Sequence, residues 1–411
     1  MRELTFSEIG ARGDAVAEGA GAPLYAPFAL PGERVRARVI GERAEVIELL
    51  APSEARVAPA CPHFGRCGGC QLQHWAEAPY LEWKREQVVR ALARRGIEAD
   101  VAPTIAAWGE GRRRAGFHAQ RTPKGVRLGF IARGGAKIVP VDQCPVLTPG
   151  LAAKLPALRA VSDLFAPARG ELTLACLESD AGVDVNVKGA GRAAALDRAN
   201  LEAAAELART HDLARLSLDG EPLLALRTPR VAIGLASIKP PPGAFLQATR
   251  AGEDVLAAHV MRALHGASRV IDLFSGCGTF ALRAAEMADV HAVEGEEEML
   301  AALKRGADGA GGRLKSVTTQ RRDLLRTPVS ALELKRFDAA ILDPPRAGAR
   351  LQAQQIAASR ISRVASVSCD PATFARDARV LIDAGFTLKD VTPVDQFRWS
   401  AQIEVTGAFA R

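Results

Sequence analysis

Long hydrophobic runs are missing from this 411-residue sequence. No stretch approaches the roughly 18 uninterrupted apolar residues that a membrane span requires. The first twenty residues are mixed and charged, and they lack the apolar core of a secretory signal. The sequence therefore predicts a globular protein of the cytoplasm that has no membrane partner, and we expect a monomer.

The sequence also contains no internal repeat and no low-complexity tract, and its number of cysteines, seven, is odd. An odd number of cysteines, crowded toward one end of the chain and without a secretory signal, argues against a disulfide framework. Metal binding or catalysis is therefore the expected role of at least some of them. The seven are Cys61, Cys67, Cys70, Cys144, Cys176, Cys277 and Cys369.

Acidic residues are scarce between Lys84 and Lys137, where thirteen Lys or Arg accompany only four Asp or Glu. The whole chain carries a formal net charge of +7. A concentrated basic block suits a polyanion such as RNA, because each neutralised phosphate releases counterions. A solvated basic face is the alternative, and charge alone does not decide between the two.

The residue pattern changes twice along the chain and predicts an α/β protein of three domains. Residues 1–57 contain short strand-like runs divided by turn residues, which is typical of a small OB-like β-barrel. Residues 58–243 begin with a Cys-rich segment, continue with an amphipathic helix near 80–95 that could pack on the last domain, and then mix strands and helices. Residues 244–411 alternate apolar runs with helical stretches, which indicates a Rossmann-like domain of βαβ units on a parallel sheet.

Two motifs in the last domain predict a site for S-adenosylmethionine. In VIDLFSGCGT, Gly276 and Gly278 lie at a strand-to-helix turn, where glycine lets the backbone approach a ligand. Glu294 ends the next strand and can accept hydrogen bonds from ribose hydroxyls. A dinucleotide site would look similar, but a later strand ends in Asp343-Pro-Pro-Arg, which resembles the [DN]-P-P signature of nucleic-acid methyltransferases.

Cys369, within SCDP, follows the next predicted strand and is a candidate nucleophile. Carbon 5 of uracil becomes nucleophilic when a thiolate adds to C6, and the adduct then needs a base that removes the C5 proton. Glu404 is the candidate base, because it lies in the apolar run IEVTGAFA, where a carboxylate is costly unless used or paired. A buried structural cysteine and a water-facing edge-strand glutamate are the respective alternatives.

Four cysteines form a candidate metal site. A C-x5-C-x2-C array contains Cys61, Cys67 and Cys70, and Cys144 in DQCP is the obvious fourth ligand. Four thiolates suit zinc or an iron–sulfur cluster, and the irregular spacing favours a [4Fe–4S] cluster. Because a fourth cysteine closes the site, we expect a structural or RNA-contacting role rather than radical chemistry.

In their order along nearly the whole chain, these motifs resemble the bacterial RNA 5-methyluridine methyltransferases, and among them the iron–sulfur branch that acts on 23S ribosomal RNA. The resemblance implies a TRAM-like N-terminal barrel, Cys369 as nucleophile, Glu404 as base, and a target uridine flipped out of its stack. It also implies six residues that bind S-adenosylmethionine: Gln247, Phe274, Thr279, Glu294, Asp323 and Asp343.

Two segments depart from the family pattern. The family usually has a His two residues before the base, where this chain has Gln402, and often F-P-H-T where this chain has residues 397–400, FRWS. These changes could alter how the base is oriented or how RNA is gripped. Three other functions stay open: a tRNA 5-methyluridine methyltransferase, an amino-group methyltransferase that would not need Cys369, and a redox or RNA-binding protein with an inactive methyltransferase half.

Overall fold

Three large β-sheets organise the computed structural model of the chain, which describes residues 1–18, 21–190 and 197–411. The first sheet has the strand order β1-β5-β6-β4-β3-β2 and occupies the region where a small barrel is predicted. Its strands are β1 (Arg2–Thr5), β2 (Glu8–Ile9), β3 (Ala15–Ala17), β4 (Leu24–Ala26), β5 (Arg34–Ile40) and β6 (Arg43–Ala51).

Buried and exposed residues alternate along β5, so one face of this sheet is buried. Val35 and Ala37 are buried, whereas the arginines between them are exposed, as expected of a strand with one face on a core. The core beneath the sheet is completed from outside it by Trp75, Tyr80 and Trp83. The sheet is therefore packed against the segment that follows it.

The second sheet belongs to the middle of the chain and has the order β10-β9-β8-β11-β12-β13-β14. Helix α3 packs on β9, β11 and β8, and α4 packs on β13 and β14. The elements of this region are α1 (Glu77–Ala93), β7 (Ile105–Ala106), β8 (Arg114–Thr122), β9 (Gly125–Ile131), β10 (Ile138–Pro140), α2 (Pro149–Ala153), α3 (Leu155–Phe165), β11 (Leu172–Ser179), β12 (Gly182–Lys188), α4 (Arg198–Thr210), β13 (Arg215–Leu218), β14 (Glu221–Ala225), β15 (Val231–Ile233) and β16 (Ala236–Ile238).

The third sheet has the order β19-β18-β17-β20-β21-β23-β22-β7. Its elements after residue 249 are α5 (Arg250–Ala263), β17 (Arg269–Leu273), α6 (Ala281–Ala284), β18 (Asp289–Glu294), α7 (Glu297–Asp308), β19 (Val317–Arg321), a 3₁₀ helix (Glu333–Arg336), β20 (Ala339–Leu342), α8 (Arg350–Ala357), β21 (Arg363–Ser368), α9 (Pro371–Asp383), β22 (Thr387–Asp395) and β23 (Glu404–Ala410).

Strands β17 to β21 run parallel, and β23 runs antiparallel between β21 and β22. All four residues of β20 are buried apolar residues, as expected of a parallel strand covered on both faces. The predicted α/β class is confirmed, but the last sheet is mixed rather than parallel throughout. The chain leaves β17 for β18 on one side and returns to β20 on the other, which creates a switch point at the carboxyl ends of these strands.

Segments from before residue 243 contribute to this last sheet and its core. Strand β7 pairs with β22, helix α1 packs against α9 and β22, and the β15–β16 hairpin packs on α7. Hydrophobic side chains of the hairpin share a core with those of β17 and α5. Among the described residues, no helix is long and apolar enough to cross a membrane.

Candidate active site

Cys369 lies in the turn between β21 and α9, and the residues after it explain its placement. Asp370 caps α9, because its carboxylate accepts hydrogen bonds from the backbone N–H groups of Ala372 (2.9 Å) and Thr373 (3.1 Å). Pro371 occupies the first helical position, where its missing N–H costs nothing. The S-C-D-P motif thus ends the strand, starts the helix and leaves the Cys369 side chain partly exposed at the turn.

A cavity of about 610 Å³, called here the Cys369 cleft, opens beside this thiol. Its wall contains residues of the first sheet's β2–β3 loop, the Cys-rich segment, the end of α1 and residues 400–403. Arg12, Arg94 and Arg112 line the cleft, and among the described residues none of the three pairs with a carboxylate. Arg346, also in the wall, lies 3.5 Å from Asp370. The cleft is therefore basic, and two of its arginines come from the basic block noted in the sequence.

Glu404 faces Cys369 across two paired strands. Ser368 of β21 pairs with Val405 of β23 in antiparallel register. Cys369, which follows Ser368, therefore lies beside Glu404, which precedes Val405. Glu404 is only 4% exposed, and β23 is an interior strand of the sheet. The alternative of a water-facing glutamate on an edge strand is therefore wrong.

Burial is the largest cause of the raised pKa values in this site. It raises the pKa of Glu404 to about 8, together with the charge of Asp343, while a hydrogen bond from Gln396 and the charge of Lys84 act against this rise. Burial also raises the pKa of Asp343 to about 7. The pKa of the Cys369 thiol rises to about 11 through burial first, and then through the carboxylates of Glu404 and Asp343. The three groups therefore form one electrostatically coupled cluster.

The amide of Gln396 joins Glu404 to a predicted cofactor residue. Its Nε2 donates to Gln247 Oε1 at 2.7 Å and to Glu404 Oε1 at 3.2 Å. Its Oε1 accepts hydrogen bonds from the backbone N–H groups of Ala248 (2.9 Å) and Thr249 (3.4 Å). The predicted base is thus oriented by a residue that our sequence reasoning missed, since no recognised motif contains Gln396.

A buried ion pair anchors the segment that leads to Glu404. Asp395 accepts hydrogen bonds from Lys84 Nζ (2.5 Å), Tyr80 Oη (2.8 Å) and Trp108 Nε1 (3.0 Å). Lys84 also donates to the backbone carbonyl of Gln402 at 2.6 Å. Where the family usually has a His, this chain therefore fixes the main chain through Lys84, and the Gln402 side chain is exposed.

The glycine-rich turn after β17 is held by Glu294. Its carboxylate accepts hydrogen bonds from the N–H groups of Gly276 (2.9 Å) and Gly295 (2.6 Å). Phe274 has a φ of 66°, a left-handed conformation that is rare for an aromatic residue. At Gly278, a Cβ atom would lie 2.7 Å from the Leu303 side chain, so the turn can pack this closely on α7 only with glycine.

The remaining predicted cofactor residues lie around the same edge of the sheet. Thr279 is partly exposed beside the turn, and Asp323 follows β19, where it accepts hydrogen bonds from the N–H groups of Leu325 (3.1 Å) and Arg326 (3.3 Å). Asp272, which was not among the predicted site residues, is fully buried at the end of β17 with both carboxylate oxygens unpartnered. Burial raises its pKa well above the usual value, with the charge of Asp343 adding to the effect.

All four predicted metal ligands line one cavity of about 280 Å³, called here the four-cysteine cavity. Every one of them is a free thiol. Among the described residues, no three His, Cys, Asp or Glu side chains approach closely enough to hold a single metal ion. Gly69, Arg112 and Phe397 line both this cavity and the Cys369 cleft, so the two sites share a wall.

No protein-family model matches the chain, but individual known proteins do. The chain is 46% identical over 416 residues to a protein of Caulobacter vibrioides described as an RNA methyltransferase, with 100% of each covered. It is 36% identical to the 23S rRNA (uracil(1939)-C(5))-methyltransferase of Halomonas elongata, covering 98% of this chain and 88% of that one.

A solved structure shares the fold. The tRNA (uracil-54, C5)-methyltransferase of Pyrococcus abyssi, in complex with S-adenosyl-L-homocysteine, superimposes with a TM-score of 0.77 and 22% identity over 99% of each chain. The chain therefore has the same overall fold as that enzyme. The sequence relationships define the family more closely: this chain belongs to the family of RNA methyltransferases that contains the Caulobacter and Halomonas proteins. The predicted enzyme class is confirmed.

Proposed function

We propose that this protein methylates carbon 5 of a uridine in RNA, with S-adenosylmethionine as methyl donor, Cys369 as nucleophile and Glu404 as base. The observation that carries the proposal is the juxtaposition of Cys369 and Glu404 beside a basic cleft. Amino-group methylation would need neither a thiol nor a buried base opposite it. The paired residues therefore favour attack on a pyrimidine carbon.

The crevice beside β17 and β18 fits the proposed methyl donor. Asp272 brings two buried oxygens that lack partners, and the Ser275 hydroxyl is also unpartnered. Buried polar groups are costly unless hydrogen-bonded, so a ligand with several donors would satisfy them. We propose that Gln247, Phe274, Thr279, Glu294, Asp323 and Asp343 line the site of S-adenosylmethionine, whose chemistry there is the supply of an electrophilic methyl group.

The proposed reaction uses the two strand-end residues in turn. The Cys369 thiolate adds to C6 of the uracil, and the electron pair of the C5–C6 double bond moves toward O4. This electron pair then forms the bond from C5 to the methyl group, as the bond between that methyl group and the sulfonium sulfur of the donor breaks and leaves its electrons on sulfur. Glu404, as carboxylate, takes the remaining proton from C5, and that C–H electron pair re-forms the double bond and expels the thiolate. The raised pKa of Glu404 makes it a stronger proton acceptor than an exposed glutamate.

Ribosomal RNA is the favoured substrate, and tRNA is the alternative. The relative from Halomonas elongata, whose alignment covers 98% of this chain, is a 23S rRNA methyltransferase. The enzyme of Pyrococcus abyssi that shares the fold acts on tRNA. Sequence identity of 36% against 22% supports the first. We propose that the protein acts as a monomer in the cytoplasm, where its arginines in the Cys369 cleft hold RNA phosphates.

For the four-cysteine cavity we propose a [4Fe–4S] cluster held by Cys61, Cys67, Cys70 and Cys144. Four thiols that line one cavity form the ligand set of a [4Fe–4S] cluster, and this shared cavity supports the proposal. Thiolate ligands at all four corners leave no open iron, so the proposed role is structural. The cluster would brace the wall that the cavity shares with the Cys369 cleft.

The proposal is tested by incubating the purified protein with methyl-labelled S-adenosylmethionine and unmodified transcripts of 23S rRNA and of tRNA. Nucleosides from digested RNA are then separated and identified by mass. We expect 5-methyluridine in the 23S rRNA transcript. Label in an exocyclic amino group would contradict the proposed chemistry, and label confined to tRNA would support the alternative substrate.

A further inference from the structure

Three of the four tryptophans of the chain line a third pocket of about 270 Å³, called here the tryptophan pocket. They are Trp75, Trp108 and Trp399, and Arg398 lies among them. The pocket adjoins the proposed active site through one short segment. Phe397 and residue 400 of that segment line the Cys369 cleft, whereas the two residues between them line the tryptophan pocket.

Trp399 is held in a strained conformation. Its φ is 61°, in the left-handed region that glycine and asparagine tolerate and bulky side chains avoid. Such a conformation persists only where the surroundings enforce it. Two hydrogen bonds hold the backbone of Trp399 in this conformation: the N–H groups of Gln71 (2.8 Å) and Leu72 (3.0 Å) both donate to its carbonyl. The fold thus places an indole at a position where the backbone conformation favours glycine.

Arg398 lies against both indoles and retains free donors. Its guanidinium carbon is 4.2 Å from the centre of the Trp108 ring and 4.3 Å from that of the Trp399 ring. Its Nε is buried without a hydrogen-bond partner, and its nearest carboxylate oxygen, on Glu77, is 3.7 Å away. The carboxylate of Glu77 lies beyond hydrogen-bond distance, so the terminal nitrogens of the guanidinium can donate to a ligand that enters the pocket.

A purely structural role explains only part of this cluster. Trp75 is 7% exposed and packs in the core under the first sheet, so its ring is used by the fold. Trp108 and Trp399 are only half-buried, and both face the open pocket. A partly accessible pair of indoles with an arginine is an arrangement on which proteins stack unpaired nucleobases.

We propose that Trp108, Trp399 and Arg398 form a stacking subsite for an unpaired nucleobase of the RNA substrate, next to the target uridine. The inference rests on the proposed RNA substrate and adds a second recognition point to it. When the target base leaves its stack, the neighbouring base loses a stacking partner, and an indole replaces it. The free Arg398 donors bind an acceptor of that base or its phosphate.

The test compares two substitutions at Trp399 in the full-length protein. Trp399→Gly removes the ring at a position whose backbone favours glycine, so this variant is expected to fold. Trp399→Phe keeps an aromatic face. With a 23S rRNA transcript as probe, we expect Trp399→Gly to weaken the Kd about tenfold or more and Trp399→Phe to remain within about threefold of wild type.

Salt dependence separates stacking from phosphate binding. For Trp399→Gly, the slope of log K against log salt is expected to stay at the wild-type value, because no phosphate contact is lost. Arg94→Gln, in the Cys369 cleft, is the contrasting control and should lower that slope by about one. Wild-type affinity in Trp399→Gly would overturn the subsite even if the wild-type protein makes 5-methyluridine. Absence of that product with wild-type protein would instead overturn the proposed function.

Discussion

Cys369 and Glu404 face each other across the junction of β21 and β23, and the charge of Glu404 acts on the protonation of Cys369. The Glu404 carboxylate raises the pKa of the Cys369 thiol, which burial has already raised. Both residues lie in short segments where a strand begins or ends, so their separation is set by strand register rather than by flexible loops. This arrangement leads to predictions that separate nucleophile from base.

Replacement of Cys369 by alanine is expected to abolish 5-methyluridine formation, by at least about three orders of magnitude in kcat, because no other group can add to C6. Binding of S-adenosylmethionine, measured by calorimetry, should be retained, since the proposed cofactor residues do not include Cys369. Cys176→Ala is a suitable control, because that cysteine is buried in the central core and should leave the activity intact. Normal turnover by Cys369→Ala would sink the covalent mechanism.

Replacement of Glu404 by glutamine is expected to trap the enzyme on RNA. Cys369 can still add to the uracil and the methyl group can still be accepted, but the C5 proton stays in place and the thiolate cannot leave. A denaturation-resistant species with the mass of protein plus RNA should accumulate on gels. The double variant Cys369→Ala/Glu404→Gln is the control and should form none. Free turnover without such a species would mean that another group removes the proton.

The same substitution is expected to stabilise the protein in a pH-dependent manner. The pKa of Glu404 is about 8 in the folded protein, above the ordinary value of 4.5, so the folded state holds a proton that the unfolded state has lost between these pH values. Wild-type stability from this group is therefore present below pH 4.5 and is lost as the pH rises through about 8. Glutamine stays neutral and avoids this loss.

Thermal unfolding should thus give similar Tm values for wild type and Glu404→Gln at pH 5, and a higher Tm for the variant at pH 8. The expected gain at pH 8 is roughly 4 kcal/mol, because the pKa shift from 4.5 to about 8 is nearly complete there and each unit is worth about 1.4 kcal/mol. Glu298→Gln changes an exposed carboxylate and should show no such pH dependence. Equal Tm differences at both pH values would contradict the raised pKa of Glu404.

Replacement of Cys144 by serine tests the proposed cluster. Protein purified without oxygen should be brown, with a broad absorbance near about 400 nm, and Cys144→Ser should lose most of that absorbance and its bound iron. Because the cavity shares a wall with the Cys369 cleft, we also expect weaker RNA binding and a lower Tm. Cys176→Ser should retain iron. Stoichiometric zinc without iron in the wild-type protein would refute the cluster.

Sequence reasoning succeeded where the relevant signal was local. Cys369 was predicted at the end of a strand, and it directly follows β21, where Asp370 caps and Pro371 starts α9. The α/β class followed from alternating apolar and helical segments. The parallel arrangement was wrong for β23, because alternation along one strand does not reveal the direction of the strands beside it.

Residues that act through distant contacts were missed. Gln396 reaches Gln247, 149 positions away, and Lys84 reaches Asp395, 311 positions away. Neither has a local pattern that distinguishes it, since a lysine on an amphipathic helix is normally exposed. Arg12 joins the Cys369 cleft only because the first sheet packs against the rest of the chain.

The sequence by itself determined the chemical groups of this protein: a thiol at a strand end, a glycine-rich turn, an Asp-Pro-Pro-Arg strand end and four cysteines. These follow from short-range rules of capping, turns and ligand chemistry, so order along the chain was enough to find them. Tertiary structure decided which groups meet. The placement of Glu404 opposite Cys369, the raised pKa values and the wall between the cleft and the four-cysteine cavity all depend on strand pairing and burial. These bring together residues that lie from tens to hundreds of positions apart.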